Sequence, residues 1–478
     1  MSLKLSIAKN TLIHTLGKFS GSALGLVIIG LLTRYLGPEG YGYYTTVFSY
    51  LFFFSTIGDL GLYLVSVNEL GRENLDQKRF YSNIFTMRFF SSLFFMFLAG
   101  VLIFLFPYDQ EIKNGTLIIA IPVFLMMLDQ ILVALFQQQL KTKYPALAEI
   151  CGKMIILALT LIVVRIQAGF LTVLLTVVAG TAVHFLINFY FARKILSFSF
   201  AFDKNIWRDT FKKVWPVATY MVFSMIYFKA DTIILSLYRP QSEVGIYGAP
   251  YKILEVLIAF PAIFMGLVSP YLSRAWSLKN QIEFQNFFQK AFDFLSLIVC
   301  PMVLGTIILA NPLIMLIAGD KFIASAGILR ILIVATGIIF WAHLSTFAVV
   351  AVNRQKTMMK YYVVAALSAL SLYFIFIPRY SYWAAALITV FVEAFILVAS
   401  WANVRQETKI KIKFKNSFLS FLASLVMATI IFFSQRGLLL SIVLGGVVYF
   451  SSLYFFGVFK KGTFNPVDFI KGKNGNHA

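Results

Sequence analysis

Cysteine is nearly absent. Cys151 and Cys300 are the only two in 478 residues, and both lie in apolar surroundings. They read as core thiols, and the shortage excludes a disulfide framework or a cysteine-held metal cluster. Charge is scarce too, at 13% of residues, against 60% hydrophobic residues that include 51 Phe. A soluble fold of ordinary composition has no interior for that much apolar surface, so the chain belongs in lipid. No polar stretch is long enough for an extramembrane catalytic domain, which argues against an enzyme. A glycine-rich loop ending in Gly-Lys-Ser or Gly-Lys-Thr is missing as well, and with it direct drive by ATP. The first apolar stretch, Leu12 to Thr33, lacks a small-residue cleavage signature and reads as a retained helix rather than a removed signal peptide.

What the chain does have is fourteen apolar stretches. They run from Leu12 to Thr33, Tyr43 to Val65, Phe80 to Phe106, Gly115 to Phe136, Tyr144 to Val164, Gly169 to Ala192 and Trp215 to Tyr238. The second seven are Ile246 to Val268, Phe287 to Ala310, Ala324 to Val352, Met358 to Ile377, Tyr382 to Trp401, Ser417 to Ser434 and Leu438 to Phe459. Each is able to cross a hydrocarbon core of about 30 Å at about 20 residues per helix. Pro and Gly within them, such as Gly58, Gly61, Pro122 and Pro261, suit kinked membrane helices.

The basic residues orient the stretches. Of 41 Lys and Arg, 28 fall in the amino-terminal segment, in every second gap after it or in the first turn of a span bordering such a gap, seven fall in the alternate gaps, and six lie deeper within spans. Short basic loops stay in the cytoplasm, so both termini are expected there and the span count is even. The formal charge of +21 therefore reflects topology and attraction to anionic headgroups rather than a nucleic-acid partner. The longest polar interruption, residues 193–214, interleaves Phe198, Phe200, Phe202, Trp207 and Phe211 with basic residues and reads as an amphipathic linker lying on the inner leaflet.

That linker divides a repeat. Tyr41-Gly42-Tyr43-Tyr44 matches Val244-Gly245-Ile246-Tyr247 at an offset of 203 residues, and Gln137 to Thr142 resembles Val352 to Thr357 at an offset of 215. The expected fold is an all-α integral membrane protein of about fourteen helices. Two pseudo-symmetric six-helix lobes, residues 1–192 and 215–403, would enclose a central cavity, with an accessory pair over 404–459 and a tail over 460–478. A parallel repeat of this type suits a transporter that rocks one lobe against the other.

Arg34-Tyr35-Leu36-Gly37-Pro38-Glu39-Gly40-Tyr41-Gly42, Gly58-Asp59-Leu60-Gly61-Leu62, and Ala230-Asp231 followed by Val244-Gly245-Ile246-Tyr247 carry a resemblance. The chain resembles the O-antigen and polysaccharide-type lipid-linked oligosaccharide flippases of the multidrug/oligosaccharidyl-lipid/polysaccharide exporter superfamily. The likeness covers nearly the whole chain in helix count, lobe division and spacing, and its motifs are specific to the superfamily rather than to one substrate. It implies transfer of a polyprenyl-pyrophosphate-linked oligosaccharide from the cytoplasmic to the outer leaflet of a prokaryotic inner membrane, for cell-surface polysaccharide biosynthesis. Membrane lipids and polysaccharide assembly proteins are the implied partners. Lipid II flippases and cation-coupled multidrug exporters are related alternatives.

A cation-coupled drug exporter predicts a cavity dominated by carboxylates and aromatics, whereas six bases and about six acids balance here. A membrane glycosyltransferase, ligase or polymerase predicts a large outward loop, and the outward gaps are short. Charges inside the membrane are costly and mark candidate sites. Lys18 and Arg88 stand at similar depth above the cytoplasmic surface, either to meet a pyrophosphate or to snorkel to the interface. Lys153, Lys229, His184 and His343 are further candidates for the substrate path, although Lys153 follows Glu149 by four residues and an internal pair fits it equally. Asp59, Asp129 and Asp231 are candidates for coupling to H⁺ or Na⁺; Asp59 also reads as a helix cap, and Asp129 as one end of an interhelical hydrogen bond. No other cofactor and no metal site is expected.

Overall fold

The computed structural model describes residues 3–59, 61–69, 76–434 and 437–458. The expected tail and the basic residues Arg72 and Arg436 lie outside them. Among the described residues every regular element is helical. In order these are α1 (Leu3–Asp59), α2 (Leu62–Glu69), α3 (Gln77–Leu102), α4 (Gln110–Gln138), α5 (Lys143–Arg165), α6 (Phe170–Ile195) and α7 (Lys204–Tyr238). They continue as α8 (Gln241–Ser277), α9 (Gln281–Ile317), α10 (Ser325–Ala351), α11 (Gln355–Thr408), α12 (Lys415–Ser434) and α13 (Leu438–Phe455).

Two helices are too long for one crossing. A straight α1 of 57 residues would run about 85 Å, against a hydrocarbon core of about 30 Å. It breaks at Gly37, whose φ of 67° is open to glycine at little steric cost. Pro38 opens the second arm, where a missing N–H costs no hydrogen bond. α11 breaks in the same way at Ser381, φ 53°, where the serine hydroxyl donates to the Glu243 carboxylate. Eleven of the helices are long and apolar enough to cross a membrane. The two broken helices supply two arms each, and α7 supplies one more apolar run. Each of the fourteen expected stretches thus has a helix or an arm of its own over most of its length, the second continuing past a break into α2.

Two of the element boundaries shape the polar clusters of the first unit. The second stretch, expected to run to Val65 with Gly58 and Gly61 suited to a kink, breaks at that place: α1 stops at Asp59, and Gly61 takes a φ of 78° before α2 begins. Residues 193–214 are expected to form one linker, whereas α6 runs on to Ile195 and α7 starts at Lys204. The start is early because the Asp203 carboxylate caps it, accepting from the amides of Asn205 and Ile206 at 2.9 and 3.4 Å. Between the two helices, Ser82, Thr86 and Asn83 of α3 accept from the alternate amides of Ser199, Ala201 and Asp203 at 3.2, 2.9 and 2.6 Å. That holds residues 199–203 against α3 while Phe200 and Phe202 stay exposed.

Close contacts give the direction of each helix. The first arm of α1 follows α5: a Cβ on Gly17 would meet Ala146, one on Gly21 would meet Glu149, and the Tyr35 hydroxyl donates to the Ala168 carbonyl at 2.5 Å. α5 runs against α6, since Gly152 abuts His184 and Thr160 meets Thr176. α6 runs with α4, and α4 with the second arm of α1, because Gly115 touches both Leu174 and Val47 while Gly58 touches Met127. The second arm runs against α3, with Tyr50 donating to the Ala99 carbonyl at one end and Arg88 donating to the Gly58 carbonyl at the other. Successive helices therefore alternate in direction. Lys78, Arg79, Lys141, Lys143, Arg193 and Lys194 gather at one end of this group, and Lys113 and Arg165 at the other.

By compactness the chain divides into a unit up to Ala249, with Ile317–Lys321 and Tyr373–Tyr382, and a second unit of Pro250–Leu316, Phe322–Leu372 and the residues from Trp383 onward. Inside the second unit α9 and α10 run in opposite directions, with Arg330 donating to the Ile307 carbonyl and Trp341 to Ser296. α12 runs beside α9, joined by Asn416 to Asp293 at 2.9 Å, and α13 returns along it. Exposure is inverted relative to a soluble protein: Arg88 is 0% exposed, whereas Phe97 is 70% and Phe455 82%. The chain is a multi-pass membrane protein.

Candidate functional site

The helix break after α1 creates the surroundings of Arg88. A helix end leaves its last carbonyls without intrahelical donors, and a cation there is favoured by the helix dipole. Arg88, from α3, donates from Nη1 to the Gly58 carbonyl at 3.3 Å, and the same nitrogen lies 2.7 Å from Asp59 Oδ1. Its Nε donates to the Met127 carbonyl at 2.7 Å and its Nη2 to Gln130 Oε1 at 2.6 Å. Asp59 in turn accepts from the Gly61 amide at 3.1 Å. Arg88 and Asp59, placed in separate roles by sequence, form one enclosed pair. Lys18 lies on the first arm of α1, and its side chain is outside the described residues.

A second polar group crosses α4, α5 and α6. Lys153 is 3.0 Å from Glu149 on its own helix and donates to the Gly21 carbonyl at 2.8 Å. His184 Nε2 is 3.2 Å from Asp129 Oδ2, and Asn188 Nδ2 donates to Asp129 Oδ1 at 2.8 Å. Asn188 Oδ1 is buried with no hydrogen-bond partner among the described residues. The two clusters adjoin, because α6 passes so close to α5 that a Cβ on Gly152 would lie 2.9 Å from His184 Cβ. The Lys153 and His184 side chains stay 29% and 30% exposed, unlike that of Arg88.

Asp231 of α7 is fully buried. It accepts from the Tyr247 hydroxyl at 2.6 Å and from the Thr232 amide at 2.5 Å. Lys229, two positions away, has its Nζ 5.6 Å from the centroid of the Phe228 ring. His343 belongs to the second unit, where its Nδ1 lies 2.9 Å from the Ile339 carbonyl. Sequence reasoning missed Gln130, Asn188 and Tyr247. Asn188 carried a signal, since it follows His184 by one helical turn, and Tyr247 lay within the repeat motif.

The two repeat motifs touch each other. A Cβ on Gly42 would lie 1.8 Å from the Gln241 carbonyl oxygen, and one on Gly245 would lie 1.9 Å from the Pro38 carbonyl oxygen. Gly248 abuts Thr45, and Thr46 donates to Gln241 at 2.6 Å. Pro38 and Gln241, Gly42 and Gly245, and Thr45 and Gly248 each stand 203 residues apart, so the contact is reciprocal, as across a twofold axis. It lies inside the first unit, near Tyr108, whose hydroxyl is 2.7 Å from Ser236, at the end away from the basic cluster.

The chain is similar to the putative O-antigen transporter of Shigella flexneri, with 24% identity over 424 residues, 84% of this chain and 98% of that protein. In fold it is similar to the lipid II flippase MurJ in its inward closed conformation, with a TM-score of 0.77 and 17% identity over 93% of this chain and 99% of that one. It is also similar to the Vibrio cholerae MATE transporter VcmN in its bent form, with a TM-score of 0.57 and 10% identity over 85% and 98% of the two chains. Residues 7–276, more than half of the chain, match the family described as polysaccharide biosynthesis protein, and the chain belongs to that family.

Proposed function

We propose that this protein carries a polyprenyl-pyrophosphate-linked oligosaccharide from the inner to the outer leaflet of the cytoplasmic membrane by alternating access, without covalent chemistry. The observation that carries the proposal is the reciprocal glycine contact. Two equivalent turns, one from each copy of the repeat, meet backbone to backbone at the end of the helices that bears few basic residues. With the basic ends in the cytoplasm, as the distribution of Lys and Arg supports, this seam lies on the outer side, and the substrate head would enter from the inner side. The transported chemistry follows from membership of a polysaccharide biosynthesis family and from likeness to an O-antigen transporter. Likeness to a lipid II flippase and a MATE transporter supports an exporter fold.

Within this proposal Lys153 and His184 keep enough exposure to meet a phosphate or sugar hydroxyl. Asp129, with the spare oxygen of Asn188 beside it, is the candidate to take up H⁺ or Na⁺. Lys18, Lys229 and His343 remain candidates for the substrate path and Asp231 for ion coupling, and Arg88 and Asp59 would take those roles only in a state that opens their pair.

Two experiments test the reading. Deleting the gene should leave lipid-linked sugar intermediates facing the cytoplasm, and normal export in a strain without a second flippase would refute the transport assignment. Cysteines replacing Thr46 and Gln241, with Cys151 and Cys300 changed to Ala, should cross-link under oxidation and stop export until reduced. Full export by the cross-linked protein would show that the seam does not open in the cycle.

A further inference from the structure

The second unit holds a crevice outside the proposed path. It lies between α9, α10, the second arm of α11 and α12, and has a volume of about 510 Å³, within the range of about 300–1,000 Å³ common for small-molecule sites. Phe288, Phe292 and Leu344 form its buried wall, and Val398, Phe414 and Phe418 its exposed rim. Polar groups at its edge satisfy one another. Trp341 and Ser417 both donate to Ser296, at 3.2 and 2.9 Å, and Ser345 shares a 2.6 Å bond with Ser400. The exposed rim is apolar.

A second pocket of about 490 Å³ shares Val398 and Trp401 with the first and adds Arg405, Gln406 and Lys409. Val398, Trp401 and Arg405 follow one another at three or four residues, so they form one stripe of the helix, and Lys409, the residue just past its end, lines the same pocket. An apolar side chain, then an aromatic one, then two cations repeats the order of a membrane leaflet from acyl chains through the interface to the headgroups. The extended segment at the mouth is fixed, because Gln289 donates to the Lys413 carbonyl and accepts from the Lys413 amide, both at 2.8 Å. Acidic groups close by are engaged elsewhere: Glu407 holds Arg354, and Asp293 accepts from Gln289 and Asn416 at 2.9 Å each.

We propose that this crevice binds an anionic phospholipid of the surrounding leaflet, with an acyl chain against Phe292 and Val398 and the phosphate on Arg405 and Lys409. The site would brace α12 and α13 against α9, independently of what the protein transports. The test adds phosphatidylglycerol or phosphatidylcholine to the full-length protein in mild detergent and counts retained lipid by native mass spectrometry. Phosphatidylglycerol should be retained preferentially, and Arg405→Gln with Lys409→Gln should weaken retention about 25-fold, at about 1 kcal/mol per charge and 1.4 kcal/mol per tenfold. Lys356→Gln with Lys360→Gln, at the basic start of α11 in the same unit, should leave it unchanged. Val398→Trp should lower retention of both lipids with the cations intact. Equal retention of the two lipids, or an equal loss from the Lys356 and Lys360 variant, would overturn the proposal. So would preferential retention of an added polyprenyl phosphate, which would assign the crevice to the transported lipid.

Discussion

At the scale of single residues, the Arg88–Asp59 pair has the clearest energetics. Removing one member of a buried ion pair leaves the other uncompensated, at a cost of about 3–5 kcal/mol, while replacing both with apolar groups of similar volume is close to neutral. Arg88→Ala or Asp59→Ala should therefore lower thermal stability in detergent sharply, and Arg88→Met with Asp59→Leu should recover most of the loss. A double variant as unstable as the sum of the singles would show that the two do not act as a pair. Asp203 gives a pH-dependent case. Its hydrogen bond from Arg79, then those from the backbone amides, hold its carboxyl below the ordinary carboxylate value. A lowered folded pKa contributes stability at pH above the unfolded value, about 3.9 for Asp, and that contribution is lost as pH falls toward the folded value. The unfolding midpoints of the native protein and of Asp203→Asn should thus differ by a constant amount near neutral pH and converge in acid.

At the scale of elements, the turns decide the architecture. Gly37 carries a left-handed φ, so Gly37→Ala should cost about 1 kcal/mol and lower the unfolding temperature without changing the fold. Gly42 and Gly245 act differently, because the obstacle there is a carbonyl of the opposite turn. Gly42→Val or Gly245→Val should leave the helices intact but hold the seam apart. A cysteine at Thr46 would then react with a polar maleimide to which it is otherwise closed, and unchanged labelling would refute the gate. Much of this level was legible in sequence. Hydropathy locates every span because lipid imposes it residue by residue, and the Gly-Pro turn announces the break in α1. The Glu149–Lys153 pair was legible from a spacing of one helical turn. Arg88 with Asp59, and Asp129 with Asn188, were not, since both pairs join different helices and depend on packing that no local pattern records.

At the scale of the whole molecule, the alternation of basic gaps predicts which face meets the cytoplasm. In intact cells, a cysteine replacing Lys113 should react with a membrane-impermeant reagent, and one replacing Lys143 should react only after the cells are opened. The reverse pattern would invert the proposed direction of transport. Opposed helix directions in the first unit were readable from charge alone. The touching of the two repeat motifs was not: an offset of 203 residues shows that two segments are alike, and likeness does not place them side by side.

The enclosure of Arg88 by the end of α1 also bears on how the chain enters the membrane. Asp59 is synthesised before its counterion, and a lone charge near the bilayer centre costs about 2.5–3.5 kcal/mol on insertion scales. The second arm of α1 and α3 therefore enter lipid most favourably together, as a neutral hairpin formed while the ribosome is still extending the chain.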